Sequence, residues 1–306
     1  MCLAAFAIHA SARWPLVIAS NRDESFDRST LPLAQWKGKS GQSIISGRDG
    51  RAGGTWLGIT GAGRVALLTN VREQMIASAA PYPRSRGELV VRWLEGDMDA
   101  ATFMESTDHL AYGGFNLVLG DWQTGNWTCL SNRHAEIETG GGRLPAQQKP
   151  GAGWHMRALP PGVYGLSNAA LDTPWPKTTA LKSALADSLQ AAPKATDAIF
   201  PEASLWTALA SRGPAAPGEM PATGLPPMVE RALSSAFVDL PERRYGTRCS
   251  SLLVVSAAQD EERCSVSFVE ITHHRSATGQ RSPAGAETSA LRREAALWDA
   301  PRMPSS

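Results

Sequence analysis

The apolar residues of this chain fall into pairs of short runs joined by turns, and that grouping narrows the fold more than any other feature. Residues 2–9 read as one strand and Leu16 to Ser20 as a second, with turn chemistry from Ser11 to Pro15 between them. Thr55-Trp56-Leu57-Gly58-Ile59 and Arg64 to Thr69 flank Gly61-Ala62-Gly63, a link suited to a tight hairpin. Asn116 to Leu119 and Trp127 to Leu130 flank Thr124-Gly125-Asn126, and Ser250 to Ser256 with Val266 to Ile271 make a last apolar pair. Between these clusters lie helical patterns. Leu89, Val90, Trp93 and Leu94 recur at helical spacing within 85–95, a second helix is expected at 97–105, and 174–190 carries proline near its start. Strict βαβ alternation is absent, so the pattern predicts an α+β fold with mostly antiparallel sheets in layers. Residues 213–227 hold five prolines and three glycines and read as an exposed loop inside one domain, 1–275. The rest, 276–306, is polar and Gly/Ser/Pro-containing and is expected to be a mobile tail, apart from a short helix at Ser289 to Trp298.

Composition removes several function classes. A net charge of +1 over 306 residues, with no cluster of Lys and Arg, argues against a nucleic-acid partner. The four cysteines, Cys2, Cys129, Cys249 and Cys264, stand far apart and form no CxxC pair, so they read as reduced thiols, neither a zinc site nor a disulfide framework. His273 and His274 are adjacent and point to opposite faces of a strand, and His9 sits in a strand among apolar neighbours, so no metal site is expected. Gly140 to Gly142 reads as a hairpin turn without the strand and helix of a dinucleotide site, and no cofactor is expected. The start has no basic segment before its apolar stretch, and no run approaches about 18 apolar residues. A cytoplasmic protein without stable membrane insertion is the expectation.

The chemistry centres on Cys2, directly after Met1. Removal of the initiator would leave a thiol and a free α-amine on one residue. That amine has a pKa near ~8, so it can act as general base for its own side chain. The antiparallel return of the first hairpin brings Asn21-Arg22-Asp23-Glu24 back beside the start of the chain.

Met1-Cys2, Ser20-Asn21-Arg22-Asp23-Glu24, Gly53-Gly54-Thr55-Trp56-Leu57-Gly58-Ile59, Leu68-Thr69-Asn70, Ser85-Arg86-Gly87-Glu88-Leu89 and Tyr245-Gly246-Thr247-Arg248 appear in one order across about residues 1–256. This ordered set resembles the NRDE family, the transport and Golgi organization protein 2 family. The resemblance implies a four-layer αββα sandwich of the N-terminal-nucleophile kind. It also implies a comparison with cysteine-type members that cleave linear amides, such as choloylglycine hydrolases and acid ceramidase. On that pattern Cys2 is the nucleophile, Asp23 accepts from the α-amine, Asn70 and Asn168 donate to an oxyanion, and Arg248 stands near the thiol. Asn21, Arg22, Glu24 and Trp56 are then candidates to line the substrate site. The amide-cleaving relatives place an arginine near the position of Ser20, whereas here Arg22 is one residue before Asp23 and alternation aims it to the opposite face. The partner implied is a small-molecule acyl amide. The alternative that the resemblance carries is a non-catalytic protein that handles, or traffics, haem or acyl-CoA and lipid.

Overall fold

The computed structural model describes residues 2–73, 82–121, 124–133, 153–191, 199–257, 263–273 and 289–299. In chain order the strands are β1 (Cys2–Ile8), β2 (Leu16–Ser25), β3 (Thr30–Lys37), β4 (Ser43–Asp49), β5 (Leu57–Thr60), β6 (Arg64–Asn70) and β7 (Phe115–Asp121). They continue as β8 (Asn126–Ser131), β9 (His155–Ala158), β10 (Gly162–Leu166), β11 (Asp239–Leu240), β12 (Tyr245–Ala257), β13 (Arg263–His273) and β14 (Ser289–Asp299). The helices are α1 (Gly87–Glu95), α2 (Ala100–Glu105), α3 (Pro176–Gln190), α4 (Ala203–Leu209) and α5 (Pro227–Leu233).

These strands form two sheets in which every pairing is antiparallel. The first runs β10-β1-β2-β12-β13-β14, with β11 added on β12, and the second runs β3 to β9 in chain order. Strand β1 reads Cys-Leu-Ala-Ala-Phe-Ala-Ile because both of its faces are covered. Its even positions Ala4, Phe6 and Ile8 join Ile18, Ile45, Leu57 and Val118 between the sheets. Its odd positions Leu3, Ala5 and Ala7 meet Leu181 and Leu185 of α3 and Leu205 and Leu209 of α4. On the far side, Ile44, Ala66 and Leu117 of the second sheet pack against Leu89, Val90 and Trp93 of α1 and Phe103 of α2. The order is therefore helix, sheet, sheet, helix: the αββα sandwich.

Differences from the sequence reading have local causes. Residues 289–299 form β14, paired along the whole free edge of β13, where a short helix in a tail was expected. Ala, Leu, Glu and Arg favour a helix in isolation, but an open sheet edge offers a ladder of backbone bonds that outweighs that preference. Strands β3 and β4 went unread because β3 carries Pro32, Gln35 and Lys37 and is half exposed at a sheet edge. Gly47 lies inside β4: a Cβ there would sit 2.6 Å from the Trp56 ring, so the glycine marks a close approach. His9 leaves β1 and turns with φ 44°, its N–H donating to Pro15 O, so it is not a strand residue. Gly140 to Gly142 and His274 lie outside the described residues.

Candidate active site

Cys2 opens β1, which lies between the edge strand β10 and β2 in the first sheet, and is 8% exposed. Its backbone is fixed from both sides. Across β2 it faces Arg22, and from the turn after β10 Ser167 Oγ donates to Cys2 O at 3.0 Å. The backbone N–H of Asp23 is hydrogen-bonded to the thiol. The thiol looks into a pocket of about 470 Å³ whose wall also includes Arg22, Asp23, Glu24, Trp56 and Asn70.

Arg22 is the cation beside the thiol. Register places Cys2, Arg22 and Cys249 in one cross-strand row, and opposed residues of an antiparallel pair share a face. Arg22 does turn away from the face of Asp23, as alternation required, and that turn brings it to the face of Cys2. The guanidinium stacks on Trp56 at 4.4 Å, donates to Thr30 Oγ1 at 2.9 Å and lies 3.8 Å from Glu24. Burial pushes the Cys2 thiol above its ordinary pKa, while Arg22 and the Asp23 amide pull the other way. Cys249 is hydrogen-bonded to Glu270, an acid that also accepts from Leu33 N and so ties the two sheets together. Two strand spacings separate Cys2 from Cys249, about 10 Å, beyond the ~7 Å reach of a disulfide.

Arg248, expected near the thiol, is elsewhere. Between Thr247 and Cys249 the ladder with β2 slips, and Arg248 is directed to the backbone, donating to Ser25 O at 2.7 Å and Arg28 O at 2.9 Å. It does not line the pocket. A bulge cannot be read from alternation, which is why its direction was missed.

Asp23 is 1% exposed and lies against buried polar groups that the sequence reading left out. Thr247 Oγ1 donates to Asp23 Oδ1 at 2.7 Å and itself accepts from Val238 N. Tyr245 Oη donates to Asp23 O at 2.9 Å. Burial raises the Asp23 pKa; Lys177 at the start of α3, the Thr247 bond and Arg22 act against that rise. Lys177, 6% exposed, donates to Leu233 O at 2.8 Å, and burial lowers its pKa to about 8. Arg72, whose nearest acid is Glu230 at 2.6 Å, completes this buried set. Thr247 and Tyr245 sit inside a quoted motif, but no local pattern marks Lys177.

Of the three asparagines, only Asn70 faces the pocket. Asn168 is fully buried and spends a donor on Asn70 O at 2.8 Å, so it props the residue expected to share its role. Asn21 points the other way, among the helices: its amide donates to Leu209 O and Ala236 O, and it accepts from Ser250, itself bonded to His273. It therefore does not line the pocket, where a substrate-site role had been expected. Glu24, Arg22 and Trp56 remain on the pocket wall.

The opposite wall is held by two glycines from two different motifs. A Cβ on Gly54 would lie 2.4 Å from Gly87 C, and Thr55 N donates to Gly87 O at 3.1 Å. This backbone contact sets the start of α1, with Arg86 just before it, against the segment that leads through Trp56 into β5. Among the described residues no three His, Cys, Asp or Glu side chains gather as a metal site. Nor is any described helix long and apolar enough to cross a membrane.

A family model described as Transport and Golgi organisation 2 matches residues 1–275. Curated relatives include the Transport and Golgi organization 2 homologs of Mus musculus and Homo sapiens, both 37% identical over 53% of this chain. The chain spans about half the length of each of these (53%). The Drosophila melanogaster protein is 26% identical over 84% of this chain and 88% of its own length. Among solved structures, a Caenorhabditis elegans ortholog of N-acylethanolamine-hydrolyzing acid amidase has a TM-score of 0.47 at 11% identity, over 83% of this chain and 92% of that one. A mutant conjugated bile acid hydrolase from Clostridium perfringens has a TM-score of 0.38 at 10% identity, over 96% of both chains. The chain belongs to the Transport and Golgi organisation 2 family.

Proposed function

We propose that this member of the Transport and Golgi organisation 2 family is a hydrolase of linear C–N amide bonds, with Cys2 as nucleophile once Met1 is removed. The observation that carries the reading is the thiol of Cys2 facing a pocket beside Arg22, the Asp23 amide and Asn70. A buried thiol with a raised pKa needs a base, and the freed α-amine of the same residue supplies one. The amine takes the thiol proton, and sulfur attacks the carbonyl of a small-molecule acyl amide. The tetrahedral oxyanion accepts from the side chain of Asn70, a residue whose backbone carbonyl is held by Asn168. The α-ammonium then protonates the leaving amine, the C–N bond breaks, and a thioester remains on Cys2. Water, deprotonated by the same α-amine, cleaves the thioester and releases a carboxylic acid. Asp23 holds the ammonium, and Arg22, clamped on Trp56, lowers the cost of the thiolate.

The test is a panel of acyl amides with wild type and Cys2→Ala, alongside intact mass. Turnover lost in the variant supports the hydrolase. Retained Met1 in the mature protein removes the mechanism. Saturable binding of haem or acyl-CoA that survives the substitution, with no turnover in wild type, replaces it with a handling role.

A further inference from the structure

The pocket lining has an excess of positive charge. Five guanidiniums, from Arg22, Arg28, Arg51, Arg84 and Arg86, line the same space as three carboxylates, from Asp23, Glu24 and Asp49, whereas the whole chain has a net charge of only +1. The carboxylates are already committed. Asp49 takes Arg28 at 2.5 Å, Glu24 lies 3.8 Å from Arg22, and Asp23 is buried against Thr247 and Lys177. Arg84 leans on Glu88, on the solvent side of α1.

Two of these cations form no close ion pair among the described residues. Arg51 is exposed and has no ion-pair partner among the described residues. Arg86 is half-buried and donates one N–H to Gly114 O, a neutral acceptor, and burial lowers its pKa, with Glu24, Glu73 and Cys2 as the nearest opposing charges. The layout is graded. Cys2, Trp56 and Asn70 form the inner surface, and Arg51, Tyr82 and Arg84 stand at the exposed rim. A cleft in which one sign of charge is in excess draws in ligands of the other sign, by roughly 10-fold or more where the excess faces the ligand. Guanidinium is the group best matched to planar or tetrahedral oxyanions.

The geometry points to a substrate that bears an anionic oxygen group, carboxylate or phosphate, bound by Arg86 and Arg51 while its acyl carbon lies at Cys2. This rests on the reading of Cys2 as nucleophile and adds the charge class of the substrate, which that reading leaves open.

The test uses two reagents of equal size and chemistry, iodoacetate (anionic) and iodoacetamide (neutral), on the full chain, with the alkylated site assigned by peptide mass. The iodoacetate-to-iodoacetamide rate ratio at Cys2, divided by the ratio for free glutathione, is expected to exceed about 10 and to fall towards one at about 1 M salt. Arg86→Gln should lower it several-fold, and Arg51→Gln, which removes an exposed side chain without internal bonds, covers the case in which the first variant misfolds. A normalised ratio of one in wild type overturns the anionic class and leaves the nucleophile standing. A Cys2 inert to both reagents ends the nucleophile reading instead. Titration of the chain with octanoate, octyl phosphate and octanamide then decides the charge class. Tighter binding of the two anions, weakened by Arg51→Gln, sustains it; equal binding or none overturns it. The tighter of the two anions separates carboxylate from phosphate.

Discussion

Gly54→Ala should destabilise this protein through a clash that its neighbour Gly53 does not share, and the pair makes a controlled comparison. The new methyl at position 54 would meet Gly87 C at 2.4 Å, Gly87 O at 2.7 Å and Glu88 N at 2.9 Å. All three are backbone atoms at the start of α1, so no side chain can swing aside. Relief requires the loop and the helix to part by roughly 1 Å, which strains or breaks the bond from Thr55 N to Gly87 O. Overpacking of a tight contact costs about 1–3 kcal/mol and a lost hydrogen bond about 1 kcal/mol, giving roughly 2–4 kcal/mol in total. For a chain of this length each kcal/mol moves Tm by about 2 °C, so the expected loss is about 4–8 °C. Gly53, by contrast, has open space around it but φ of 72°. Gly53→Ala should therefore cost only the left-handed penalty, about 1–2 kcal/mol, and Gly53→Asn less, since Asn tolerates that region. Thermal and denaturant unfolding of the three variants measure this directly. A Gly54→Ala protein within about 0.5 kcal/mol of wild type, or one more stable than Gly53→Ala, would refute the account of how the two pocket walls are joined.

Further expectations follow from the buried polar groups. Lys177 has its pKa lowered by burial from 10.5 to about 8, so the unfolded chain binds the extra proton between those values and stability rises with pH across that window. The shift corresponds to about 3 kcal/mol, and the rise should be missing from denaturant titrations of Lys177→Met; a parallel pH profile in the variant would show that the lysine is not held as described. Thr247→Val removes the donor to Asp23 and the acceptor of Val238 N, and should cost about 2–4 kcal/mol in chemical unfolding, with a loss under 1 kcal/mol counting against the bond. Because burial raises the Cys2 thiol, its alkylation rate should keep climbing through about pH 8.5, and in Arg22→Ala it should be slower at each pH and level off higher still; a plateau reached below neutrality would contradict this setting.

How much of this could be read beforehand differs from residue to residue. The hairpin of β1 and β2 and its return to Cys2 were legible, because an apolar run, a turn and a second apolar run leave few other pairings. Helix α1 announced itself through Leu89, Val90, Trp93 and Leu94, all of which are buried. Helices α4 and α5, seven residues each, are too short to show a period. Alternation told which face Arg22 avoids but not what waits on the other face; that depends on the ladder register, which sets Cys2 opposite it. The bulge that redirects Arg248 and the tertiary contact that buries Lys177 against Asp23 have no local signature at all. The motifs therefore located the pocket more reliably than they assigned roles within it.

Strand β1 is laddered on both edges, so its first residue cannot shift without unzipping β2 or β10. Any adaptation to ligands of different size has to come from the facing rim, where residues 51, 52 and 82–84 are exposed. Hydrogen exchange would record this as a division of labour: the amides of residues 4–7 among the last in the molecule to open, those of 51–52 and 82–84 (Pro83 aside) among the first. Selectivity could then be reshaped by exchanging rim residues while the reactive end of the chain keeps its position.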